Sequence, residues 1–177
     1  MTYRVILIIL LTVCTSLEAS AQTSQREYAL KAGLMYYFAL YSNQTTNQNT
    51  NNYIICSSSK SFVEIATQTL LQKKIEQRDV EVRYLQSLLE NNTSCHIIFF
   101  SDEKSYTQYQ TTLNNKPRST LLIGEASNFI NAGGHIKFIH IGGKIRFEIN
   151  PEQLEISGIK ISSKVIRLGK VKVRNKS

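Results

Sequence analysis

The run Cys95-His96-Ile97-Ile98-Phe99-Phe100 is apolar almost without a break. No other stretch constrains the fold as strongly. A strand with one wet face alternates apolar and polar residues, whereas a continuous run must be covered on both faces, as in the middle of a parallel sheet. Thr120-Leu121-Leu122-Ile123-Gly124 repeats the pattern, and Tyr53-Ile54-Ile55-Cys56 adds a shorter strand. Val80-Glu81-Val82-Arg83-Tyr84 alternates, as an edge strand with one wet face should. Helical patterns separate these strands. Over Ser24 to Tyr41, Leu30, Leu34, Tyr37, Phe38 and Tyr41 fall on one apolar stripe. Phe62, Ile65, Ala66, Thr69 and Leu70 mark the buried face of a second helix. A polar helix is expected from Ser105 to Leu113, stopped by Lys116-Pro117, and a short one near Ser127 to Asn131. Strand and helix in alternation, with right-handed crossovers, predict an α/β domain of three layers: a mostly parallel sheet with helices on both faces.

The last third changes character. Ile136 to Ile141 and Lys144 to Ile149 flank Gly142-Gly143, a two-residue hairpin signal that adds an antiparallel hairpin at the C-terminal edge. Asn150, Pro151 and Gln153 supply an N-cap, a first helical residue and a capping-box partner, and Gly158 ends that short helix. Earlier in the chain, residues Ser42 to Asn52 are almost all Asn, Gln and Thr and read as a polar loop.

The N-terminus reads as a cleavable export signal. Arg4 is its positive region, Val5 to Val13 its short apolar core and Ala19-Ser20-Ala21 its cleavage pattern, so residues 1–21 are removed and the mature chain begins at Gln22. That apolar core is well short of the roughly 18 residues a membrane span needs. A competing reading makes Leu11-Thr12-Val13-Cys14 a lipid-attachment site, with bulky Val13 against it. Residues 22–170 then form one α/β domain and 171–177 a basic tail with Lys172, Arg174 and Lys176. About 156 mature residues suffice for a real core. The net charge of +8 survives processing, because Arg4 and Glu18 leave together. Such a surplus favours acidic surfaces, among them lipid headgroups, cell-wall polymers or an acidic protein. Nucleic acid is not an expected partner, and contact with a membrane is peripheral at most.

Periplasmic export leaves Cys56 and Cys95 as an isolated pair in an oxidising compartment, where a disulfide is expected. It would close a loop of about 40 residues, worth roughly 4 kcal/mol in the chain-entropy account. Two buried free thiols are the alternative. No catalytic grouping is present: there is no nucleophile elbow, no paired-cysteine metal motif and no zinc-protease helix motif. No cofactor or metal is expected. His96 reads as a core histidine. His135 and His140 lie five apart on one strand and so face opposite ways. Ser57-Ser58-Ser59, between a strand and a helix, could donate to a small anion or simply cap the helix. A small-ligand-binding module is therefore the alternative to a protein-binding one.

Lys31-Ala32-Gly33-Leu34-Met35-Tyr36-Tyr37-Phe38, Cys95 to Phe100, Gly133-Gly134-His135-Ile136, Lys144 to Asn150 and Gly158 to Leu168 occur in this order. Together they resemble the YfiR-like family of periplasmic regulators over about residues 27 to 170. The resemblance implies an exported α/β domain, often a homodimer, that binds the periplasmic part of an inner-membrane diguanylate cyclase and holds it inactive. A sensor kinase is the other membrane signalling protein expected as partner. It also implies that Cys56 and Cys95 match a family disulfide. Two departures stand out. Relatives carry an aromatic segment ending in Trp-Pro where Tyr41 here leads into Asn, Gln and Thr, and a second cysteine pair found in some members is absent. Partner contact is expected on the first helix, through Leu34, Tyr37 and Tyr41.

Overall fold

In the computed structural model, which describes residues 22–44, 50–85, 95–112 and 119–172, neighbouring residues of the parallel strands feed two separate cores. Residues 1–21, expected to be an export signal, residues 45–49 of the polar loop, Leu113 and Lys116-Pro117 at the expected end of the polar helix, and residues 173–177 of the expected tail lie outside the described residues. Helix α1 covers residues 22–40, followed by β1 (Ser42–Gln44), β2 (Asn52–Ser57), α2 (Lys60–Thr69), β3 (Lys74–Ile75) and β4 (Arg78–Tyr84). Next come β5 (Ile97–Phe100), α3 (Glu103–Thr112), β6 (Leu121–Gly124), β7 (Ile136–Ile141) and β8 (Lys144–Ile149). The chain closes with α4 (Pro151–Ile156), β9 (Ile159–Ile161), α5 (Ser163–Leu168) and β10 (Lys170–Val171). Among the described residues, no helix is long and apolar enough to cross a membrane.

Eight strands form the main sheet in the order β10-β8-β7-β6-β5-β2-β4-β3, and only the β3–β4 and β7–β8 pairs are antiparallel. Ile55, Ile97, Phe99, Leu121 and Ile123 point to one face and meet α1, α2, α4 and α5. Ile54, Cys56, Ile98, Phe100 and Leu122 point to the other and meet Tyr106 and Tyr109 of α3 with Phe129. This is the expected three-layer arrangement, with the antiparallel hairpin near its C-terminal edge. The β7–β8 turn uses Gly142 and Gly143 at φ +57° and +69°, the left-handed pair a tight hairpin requires. Asn150 caps α4 by accepting from Gln153 N at 3.1 Å.

Three local expectations change. Residues 127–133 form successive turns rather than a helix, because their backbone bonds span three, four and five residues: Phe129 N to Ala126 O, Ala132 N to Asn128 O and Gly134 N to Phe129 O. These turns drop the Phe129 ring between Gly124 and Gly134, where a Cβ on either glycine would collide with it. The polar stretch after Tyr41 begins with a strand, since β1 pairs antiparallel with β9, Ser42 opposite Ile161 and Gln44 opposite Ile159. Backbone pairing asks nothing apolar of its side chains, so composition gave no sign of it. On α1, Phe38 of the expected Leu30, Leu34, Tyr37, Phe38 and Tyr41 stripe is fully buried and Leu34 and Tyr37 pack half-buried against the core, while Ala32, Met35 and Ala39 complete the core-facing side and Leu30 and Tyr41 stay exposed. The helix is apolar over a broad arc, and the sheet buries the side that carries Ala32, Met35, Phe38 and Ala39.

Candidate functional site

Helix α1 presents the most distinctive surface of the molecule. Phe38 anchors its inner side against Phe138 of β7 and Phe147 of β8, at ring-centroid distances of 6.2 and 4.8 Å. Residues 34 and 41 flank Phe38 on its own face, and residues 30 and 37 lie further round on that side, at the spacing of a single stripe. Leu30 is 52% exposed and Tyr41 37%, while Leu34 and Tyr37 are half-buried against the edge of the core. The Tyr37 and Tyr41 rings lean together at 4.5 Å. Where the helix ends, Ser162 N donates to Tyr41 O at 2.8 Å and β1 runs on into β9, so the tyrosine pair sits on a fixed backbone. Leu34, Tyr37 and Tyr41 therefore share one surface, and Leu30 extends it toward the N-terminus.

Lys31 is the second feature of this helix. Its side chain is 1% exposed, yet it forms ion pairs with Glu27, one turn earlier, and with Glu125 after β6, the latter at 2.5 Å. His140 Nε2 lies 3.3 Å from Glu27 Oε1. The Lys31 ammonium, by donating to Glu27, holds that carboxyl below its ordinary range. A cation this deep requires such partners, because an unpaired buried charge costs several kcal/mol. The Glu27–Lys31 spacing of four residues was a visible signal of pairing. Glu125 was not legible, since only the fold brings residue 125 beside residue 31.

Ser57 and Ser59 are occupied by the strand–helix turn. Ser57 Oγ accepts from Ser59 N at 3.2 Å, and Ser59 Oγ caps α2 by accepting from Phe62 N at 3.3 Å. Of the three hydroxyls only that of Ser58 is buried without a hydrogen-bond partner. Cys56 and Cys95, both buried in the second core, are joined in a disulfide with Cα atoms 5.9 Å apart.

The histidines divide as their positions suggest. His96 and His135 each stand just before a parallel strand, and each Nδ1 takes the N–H of a neighbouring strand, from Ile54 at 3.0 Å and Leu122 at 2.9 Å. In each case the histidine's own N–H returns to the carbonyl of that same residue. The ring thus substitutes for a strand carbonyl at the start of the ladder. On its far side His96 Nε2 is 2.9 Å from Arg78 Nη1, and its ring stacks on Tyr53 at 4.4 Å. Burial, and then the Arg78 charge, push the His96 pKa down to about 4. His135 Nε2 meets Ser157 Oγ at 2.8 Å, whereas His140 is largely exposed on β7.

Among curated proteins, no relative matches this chain. A family model described as YfiR/HmsC-like matches residues 28–170, which takes in most of α1, the disulfide pair, both strand-leading histidines and the C-terminal hairpin. With most of its length matched, the chain belongs to the YfiR/HmsC-like family.

Proposed function

We propose that this protein is an exported, non-enzymatic regulator that binds the periplasmic part of an inner-membrane signalling protein through the outer stripe of α1. The partner is a diguanylate cyclase or a sensor kinase, and binding modulates cyclic-di-GMP signalling and so biofilm formation. The reading is carried by one observation: Leu30 and Tyr41 stay exposed, and Leu34 and Tyr37 only half-buried, on a helix whose other side packs on the sheet. A paired tyrosine on a rigid helix is the kind of anchor on which protein interfaces concentrate their binding energy. Family membership supplies the class of activity, since this family is known for periplasmic regulation of diguanylate cyclases and is regulatory rather than catalytic. The apolar core and cleavage pattern within residues 1–21 supply the route to the periplasm.

The test places a photo-crosslinking residue at Tyr37 and compares Tyr37→Glu with the unaltered protein in cells. Capture of an inner-membrane cyclase or kinase is expected, with Tyr37→Glu altering cyclic-di-GMP as deletion of the protein does. Capture of no such protein, together with cyclic-di-GMP unchanged on deletion, would sink the reading.

A further inference from the structure

Residues 133–177 hold ten lysines and arginines against three carboxylates, and so account for seven of the chain's eight excess positive charges. Within its described part the fold gathers β7, β8 and β10 at one side of the main sheet, where they are the last strands in that direction. Its outermost corner is made by α5 and β10. There Lys164, Arg167 and Leu168 project from the helix, and Lys170 and Val171 from the edge strand, all of them exposed. Leu168 is 64% exposed and Val171 51%, large values for aliphatic side chains set among cations. Little opposes this charge. Glu148, the carboxylate nearest in the sheet, is buried and paired with Lys137 at 3.9 Å and Lys172 at 3.4 Å, and residues 157–172 contain no acid.

We propose that the α5–β10 corner docks the protein on an anionic bilayer surface. Lys164, Arg167 and Lys170 meet the lipid phosphates, while Leu168 and Val171 enter the boundary between headgroups and acyl chains. This pairing of a cationic rim with a few aliphatic wedges is what interfacial binding uses. A folded protein partner fits less well. Protein interfaces favour aromatic residues and are poor in lysine, whereas this corner has two lysines and no exposed aromatic. Nucleic acid would want stacking rings, which are equally missing. The proposal goes beyond the α1 reading, and the two fail separately, since vesicle binding needs no protein partner.

The experiment is sedimentation of the processed, secreted protein with vesicles of phosphatidylglycerol mixed into phosphatidylcholine, and with phosphatidylcholine alone. Binding to the anionic vesicles only is expected. Each change to Gln at Lys164, Arg167 or Lys170 should weaken it about fivefold, and the triple change about a hundredfold. Leu168→Ser with Val171→Ser should remove the part of the binding that survives high salt. A matched triple change at exposed Lys60, Lys73 and Lys104 should alter it less than about twofold, and circular dichroism checks that every variant is folded. The proposal is overturned by no binding to anionic vesicles, or by equal loss in the Lys60/Lys73/Lys104 control. Retention on a soluble polyanion with none on vesicles would overturn it as well.

Discussion

His96 is buried, its Nδ1 already accepts the Ile54 N–H, and the Arg78 guanidinium lies 2.9 Å from Nε2, so the folded protein resists placing a further proton on its ring. The consequence is a pH dependence of definite sign. Below about pH 6.5 the unfolded chain takes up a proton that the folded ring refuses until its pKa of about 4 is reached. Stability therefore falls as pH drops through that window, by on the order of 3 kcal/mol. Urea denaturation at pH 7 and at pH 4.5 should show the loss, and His96→Gln should show much less of it; equal losses in both proteins would contradict the assignment. That His96 belongs to the core was legible from its place in an apolar run. Its opposition to Arg78 was not, because residues 18 apart meet only once β4 has been laid two strands away from β5.

At the scale of elements, α1 separates two kinds of apolar residue that its sequence does not distinguish. Phe38 is fully buried against Phe138 and Phe147, so Phe38→Ala should cost about 3–5 kcal/mol. Leu34→Ala, on the half-buried outer stripe, should cost only about 1 kcal/mol. Thermal unfolding decides the matter: Phe38→Ala should lower Tm by roughly 10 °C and Leu34→Ala by a few degrees. Comparable losses would mean that the outer stripe is core after all. Periodicity located the helix within a residue or two but could not choose which side of it is buried, since a helix apolar over a broad arc has no narrow stripe to orient it. The short elements β1, β3, β9 and β10 went unread for a related reason. β1 and β9 are held by backbone bonds to each other from far apart in the chain, β10 pairs with β8 and β3 with the neighbouring β4, and in every case two or three residues carry no period.

For the whole molecule, the Cys56–Cys95 bond ties β2 to the start of the adjacent β5 within the second core. Cys56→Ser, Cys95→Ser and the double change should each lower stability by about 4 kcal/mol, because a bond is lost entirely with either partner. Additive single effects, measured in denaturant under oxidising conditions, would contradict this. The three-layer plan and the hairpin were legible because they follow from long apolar runs and a glycine pair. The order of the eight strands was not, since it depends on which crossovers pass over which face.

One pairing bears on how such a chain reaches its folded state. β1 lies beside β9, with Ser42 opposite Ile161, so a strand that directly follows α1 is completed by one far later in the chain. Contacts of such long range close slowly. A polypeptide threaded in sequence through a secretion channel would emerge with Tyr37 and Tyr41 on a helix end that nothing yet fastens. On the proposed function, the outer stripe of α1 would be fastened only after nearly all of the chain had crossed, so that a stalled or truncated product could not occupy the partner.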